Sequence, residues 1–172
     1  MNIFISWSGI KSNKLAIQIS SFLKETIQAT NPWMSSSITK GKRWSSELAN
    51  NLASANYGII CLTRDNLDSE WIIFEAGALS KLKESHLSVL LFDVNHTDVK
   101  QPLSQFQHTK FEKDDFKKLI VSINSIVSEY SENPLAPEVL NRIFKRNWNV
   151  FEGEVNSILN EKIEVKSNVR WS

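Results

Sequence analysis

Apolar positions along the chain switch between two periods. Ile3-Phe4-Ile5 runs on to Trp7 as a short strand that Ser8-Gly9 breaks. From Ser12 to Ile27 the apolar residues Leu15, Ile19, Phe22, Leu23 and Ile27 take helical spacing, with Ser12 as the expected N-cap. Pro32-Trp33-Met34 reads as a weak strand, followed by a polar loop through Ser35, Ser36, Ser37, Thr39, Lys40 and Gly41. A second helix is predicted from Trp44 to Ala55 on Leu48, Leu52 and Ala55. Gly58 then precedes Ile59-Ile60-Cys61-Leu62, a continuous apolar run of the kind buried on both faces of a parallel sheet. A third helix is expected from near Ser69 to about Leu82, a strand from Leu87 to Val94, and a short strand at His108 to Phe111 after an irregular stretch. Asp114-Asp115 opens a helix carrying Phe116, Leu119, Ile120, Ile123, Ile126 and Val127, and acids suit that end of it.

Strands alternating with helices imply βαβ units, and so a doubly wound α/β fold with helices on both faces of a parallel sheet. Glu132-Asn133-Pro134-Leu135-Ala136-Pro137 is the main punctuation of the second half. Pro137 suits the first turn of a further helix, which Leu140, Ile143, Phe144, Trp148, Phe151, Val155 and Leu159 continue as a wide apolar stripe. Two readings of that stripe stay open: it packs back on the sheet domain, or it serves assembly with a partner or a second copy. The organisation expected is an α/β domain over residues 1–131 and a helical extension over 132–172 on or beside it. Its tail from Lys162 carries little pattern.

Composition narrows the function classes. With 172 residues, 20 Lys+Arg and 19 Asp+Glu, the chain has a formal net charge of +1 spread over interspersed signs. No field attracts nucleic acid or an anionic membrane. No apolar run approaches the roughly 18 residues of a membrane span. A lone Cys61 in an apolar run fits a reducing compartment, and the N-terminus reads directly into a strand, so a cytoplasmic location is expected. The Asn95-His96-Thr97 sequon is then incidental. His86, His96 and His108 lack ligand-like spacing, so no metal is expected. Neither a Gly-x-Gly-x-x-Gly loop nor a Walker or nucleophile-elbow motif is present, which disfavours hydride transfer, triphosphate hydrolysis and acyl transfer. A receiver-type module would carry an acidic pair after the first strand, where this chain has Ser6-Trp7-Ser8.

One residue breaks the pattern. In Trp71-Ile72-Ile73-Phe74-Glu75-Ala76-Gly77-Ala78-Leu79 the single charge is Glu75. At about 100° per residue its neighbours are Trp71, Ile72, Ala78, Leu79 and Leu82, all apolar. A carboxylate on that face must be paired, protonated or lining a pocket. In a doubly wound sheet, ligand sites form beyond the carboxyl ends of the strands. The loops there are Trp7-Ser8-Gly9, the segment from Ser35 to Trp44, and the segment from Arg64 to Trp71, each bringing a Trp and small polar residues. Flat aromatic surfaces beside hydroxyls and one acid suit a planar heterocycle attached to a sugar.

These residues also resemble a family. Ile3-Phe4-Ile5-Ser6 with Gly9, Ile38 with Gly41, Ser46-Glu47-Leu48, and Ile60-Cys61-Leu62-Thr63 follow the element order of bacterial Toll/interleukin-1 receptor (TIR) domains over roughly residues 2–130. Ser69-x-Trp71 with Glu75 is similar to the Ser-x-Trp-x-x-x-Glu signature of their enzymatic members. The resemblance implies a flavodoxin-like, five-stranded parallel sheet. It further implies consumption of NAD⁺ as a substrate rather than a cofactor, with Glu75 catalytic. The loop residues expected around that substrate are Trp7, Ser8, Gly9, Ser36, Lys40, Trp44 and Trp71, with Lys40 or Arg43 offsetting phosphate charge. Products in the family are ADP-ribose or cyclic and modified forms, often in antiphage defence, sensed by a downstream effector. Homotypic TIR–TIR assembly is expected, and some members are scaffolds without catalysis.

Overall fold

The computed structural model describes residues 1–35 and 46–161. Five strands, β1 (Asn2–Ser6), β2 (Asn31–Met34), β3 (Tyr57–Leu62), β4 (Leu87–Leu91) and β5 (Gln107–Lys110), form one sheet in the order β2-β1-β3-β4-β5, every pairing parallel. The helices are α1 (Ile10–Thr26), α2 (Ser46–Ser54), α3 (Glu70–Leu79), α4 (Lys113–Ile126) and α5 (Pro137–Asn160), with 3-10 turns between them. This is the flavodoxin-like arrangement expected for the α/β fold class.

Two cores separate the layers. On one face Ile3, Ile5, Ile59 and Cys61 pack with α1, α4 and α5. On the other, Phe4, Ile60, Leu62, Val89 and Leu91 pack with Leu48 and Leu52 of α2 and Ile72, Ala76 and Leu79 of α3. The period-2 alternation of β1 produces this split directly. Gly58 permits a close approach on the second face: a Cβ there would lie 2.8 Å from Leu87 Cδ1 and 3.0 Å from Leu79 Cδ1.

The apolar stripe of α5 is buried at Leu140, Phe144, Trp148, Phe151, Val155 and Ile158, against α1 and α4. Phe144 and Trp148 stack at 5.3 Å between centroids, and Phe111, Phe116 and Phe151 complete the aromatic cluster. Asn124, buried on α4, holds the lead-in to α5: its amide donates to the Leu135 carbonyl and accepts the Leu135 N–H, both at 2.9 Å.

Candidate active site

Strand order places the crossover reversal between β1 and β3, the position at which doubly wound sheets bind ligands beyond the strand ends. Ser6, the last residue of β1, is fully buried and by alternation faces the layer of α2 and α3. The chain then turns at Gly9, whose φ of 91° and ψ of 165° are open essentially to glycine alone. Gly9, and not Ser12, caps α1. Ser12 instead lies buried in the first turn, donating its hydroxyl to the Cys61 carbonyl at 3.2 Å and accepting the Ser8 N–H at 3.2 Å. A tertiary link across the sheet edge thus replaces the local cap that spacing alone predicts.

The chain leaving β3 is folded around Asn66, which is 3% exposed. Its Oδ1 accepts the Thr63 N–H at 2.8 Å, while its Nδ2 donates to the Cys61 carbonyl at 3.0 Å and to the Ser8 carbonyl at 3.2 Å. Three residues later Ser69 caps α3, accepting the Ile72 N–H at 3.3 Å, and donates its own hydroxyl to Ser8 Oγ at 2.9 Å. At the outer rim Lys11 reaches Asp65 at 3.6 Å and Asp93 at 3.8 Å, and Asp93 Oδ1 accepts the Arg64 N–H at 2.8 Å. Loops after β1, β3 and β4 are in this way bound to one another.

Ser69 fixes where α3 starts, and helical periodicity then fixes its inner face as Ile72, Glu75, Ala76 and Leu79. Glu75 is fully buried there, with 0% exposure. Trp71, one turn earlier, is half-buried and packs with the same core, its ring 5.8 Å from that of Phe74. Buried hydroxyls of Ser6, Ser35 and Thr63 belong to the same end of the sheet. A buried acid on the inner face of α3, at the end where the sheet presents hydroxyls, can stabilise positive charge developing on a bound ligand.

The sequence-derived residues separate into groups. Ser8, Gly9, Trp71 and Glu75 lie on the loops and helix that the Asn66 and Ser69 bonds tie together. Trp7 goes elsewhere: it is 5% exposed in the core beneath α1, and its indole N–H donates to the Ser35 carbonyl at 2.7 Å. Ser36, Lys40, Arg43 and Trp44, with the Ile38 and Gly41 pair, lie outside the described residues. Asn66 escaped the sequence reading, although an Asn three residues after a strand-ending Thr is a turn-forming signal. The fold also unites two histidines that spacing kept apart: His96 Nδ1 and His108 Nδ1 are 3.0 Å apart with rings 13° from parallel, and His108 Nε2 lies 3.1 Å from the Leu103 carbonyl. Among the described residues no group of three or more His, Cys, Asp or Glu is placed to hold a metal ion.

A largely apolar recess of about 370 Å³ lies between α4 and α5, on the opposite layer from Glu75. Its walls include Ile120, Leu135 and Phe144 and no acid, so it lacks the chemistry of the Glu75 site.

A family model described as the TIR domain matches residues 3–120. The chain belongs to the TIR domain family. The matched span runs from β1 into α4 of this TIR domain and contains Ser8, Asn66, Ser69, Trp71 and Glu75; α5 lies beyond it. A comparison with curated proteins finds no match. Among the described residues of the TIR domain, no helix is long and apolar enough to cross a membrane.

Proposed function

We propose that this TIR domain cleaves the nicotinamide–ribose bond of NAD⁺, with Glu75 as the catalytic residue. The observation that carries the reading is the complete burial of one carboxylate on the inner face of α3, at the strand-end edge where α/β sheets bind ligands. Ordinary glycosidases use two carboxylates because an alkoxide leaves poorly unless protonated. Nicotinamide in NAD⁺ already bears positive charge. When the C1′–N bond breaks, the electron pair goes to the ring nitrogen and the leaving group departs neutral, so one anion suffices. Glu75 orients the ribose through its hydroxyls and stabilises the oxocarbenium-like transition state. Water then captures C1′ and loses a proton, giving ADP-ribose; an acceptor such as the adenine ring gives a cyclic product instead.

Ser8, Gly9 and Trp71 are the described residues proposed to contact substrate, with Ser36, Lys40, Arg43 and Trp44 as further candidates. Trp7 serves this reading only as a core residue beneath the loop. Because Glu75 is enclosed in the isolated chain, substrate entry requires the pocket wall to part, and contact with a second copy of the domain is proposed to favour the open form. A product that is a modified ADP-ribose would act as a signal to a downstream effector, in keeping with a cytoplasmic role in bacterial antiphage defence.

The test is nicotinamide release from NAD⁺ by the purified protein, assayed at low and high protein concentration and with a crowding agent. Glu75→Gln, close to isosteric, is expected to lower turnover by about 10²–10³-fold, the range for loss of one transition-state electrostatic contact. Equal rates for both proteins would overturn the catalytic reading. Mass spectrometry of the products then separates hydrolysis from cyclisation. A second reading, a scaffold acting through self-association, is favoured by one feature: Ile73 and Phe74 on the outer face of α3 are 38% and 43% exposed. Concentration-dependent assembly lost in Phe74→Ser, without NAD⁺ turnover in either protein, would establish it.

A further inference from the structure

Resting on the NAD⁺-cleaving reading, we infer that Asn66 and Ser69 are positioning residues: together they form a clamp that sets the Ser8 loop against the start of the helix carrying Glu75. The two substrate-facing elements come from distant parts of the chain and are joined by bonds from these two side chains. Asn66 spends its whole amide on the task. One side holds the Thr63 N–H, and the other spans two carbonyls, Cys61 on β3 and Ser8 on the first loop. Buried at 3% exposure, it exchanges no bond with bulk water and tolerates little displacement.

Ser69 is the second jaw. A hydroxyl has one proton and two lone pairs. The lone pair used by Ile72 N–H caps α3; the proton goes to Ser8 Oγ at 2.9 Å. One atom therefore ends the loop's freedom and starts the helix, and Glu75 follows six residues later at a rotation that the helix alone determines. The Ser8 backbone is held from its other side by its N–H bond to Ser12 Oγ. The clamp acts through Ser8 and through the position of α3, and neither jaw needs to touch substrate.

Capping and clamping can be separated by substitution. Ser69→Thr keeps both acceptor and donor. Ser69→Gly keeps a residue that ranks close behind serine at an N-cap, yet has no side chain to reach Ser8. The clamp predicts that Ser69→Gly keeps a thermal midpoint near that of wild type while kcat/KM for NAD⁺ falls by about 10²-fold, the scale of a displacement near 1 Å. Ser69→Thr retains activity. In the double variant with Ser8→Ala the two losses are less than additive, because both remove the same bond. Amide hydrogen exchange supplies a readout independent of turnover: in Ser69→Gly the Ser8 N–H exchanges faster while the Ala76 N–H inside α3 stays protected. Wild-type-like kcat/KM in Ser69→Gly, additive losses, or unchanged Ser8 exchange would each overturn the clamp. If wild type releases no nicotinamide, the NAD⁺ reading fails by itself and the exchange measurement still decides whether the clamp exists.

Discussion

Gly9 shows how a single backbone conformation shapes this site. A Cβ added there would meet no atom within 4 Å, so space is available, yet φ of 91° with ψ of 165° is a region that side chains rarely enter. Gly9→Ala is therefore expected to cost about 1–3 kcal/mol through strain alone, read as a lower denaturant midpoint with an unchanged slope. Tyr57, at the first position of β3, illustrates a different residue-level effect. Burial raises its hydroxyl pKa well above the usual value, because the phenolate would lose its hydration. The folded pKa lies above the unfolded one, so this contribution is complete below about pH 10 and is lost as pH rises beyond it. Unfolding free energy measured from pH 9 to 12 is expected to fall with a slope that Tyr57→Phe reduces by up to about 1.4 kcal/mol per pH unit.

At the scale of elements, α5 carries an amphipathic stripe whose destination its own pattern leaves open. Its burial against α1 and α4 makes it an integral part of one core, with Trp148 2% exposed among the rings of Phe111, Phe116, Phe144 and Phe151. Trp148→Ala is expected to cost about 3–5 kcal/mol, checked by urea unfolding, with loss of the near-ultraviolet aromatic signal. The strands were legible because Ile59 to Leu62 are apolar without interruption and Leu87 to Leu91 are apolar at every position but Ser88, as a doubly covered sheet favours. The start of α1 was not: a serine at the right spacing looks like a cap, and only the neighbouring end of β3 reveals that its hydroxyl is taken by the Cys61 carbonyl. The place of Trp7 was hidden for a related reason. Its position in a loop suggested the pocket rim, while its alternation with Ile3 and Ile5 directs it into the core below α1. Glu75 was legible because one charge in an apolar helix face has few physical explanations; Asn66 was not, because its meaning lies in carbonyls 5 and 58 residues away.

For the whole molecule, the two layers divide the work. The layer of α2 and α3 carries the candidate acid and the half-exposed apolar residues Ile73 and Phe74, whereas the layer of α1 and α4 is devoted to holding α5. His86 lies beside the core of α1 and α4, buried between Tyr57 and Tyr130 and 3.3 Å from Glu129. One geometric consequence follows for any array built from copies of this domain. Along much of its length, the flank of α1 is occupied by a segment of its own polypeptide, which acts as a permanent spacer. Neighbouring copies cannot nest there without evicting 24 residues of helix, so stacking contacts are steered toward the α3 flank and the edge strands β2 and β5.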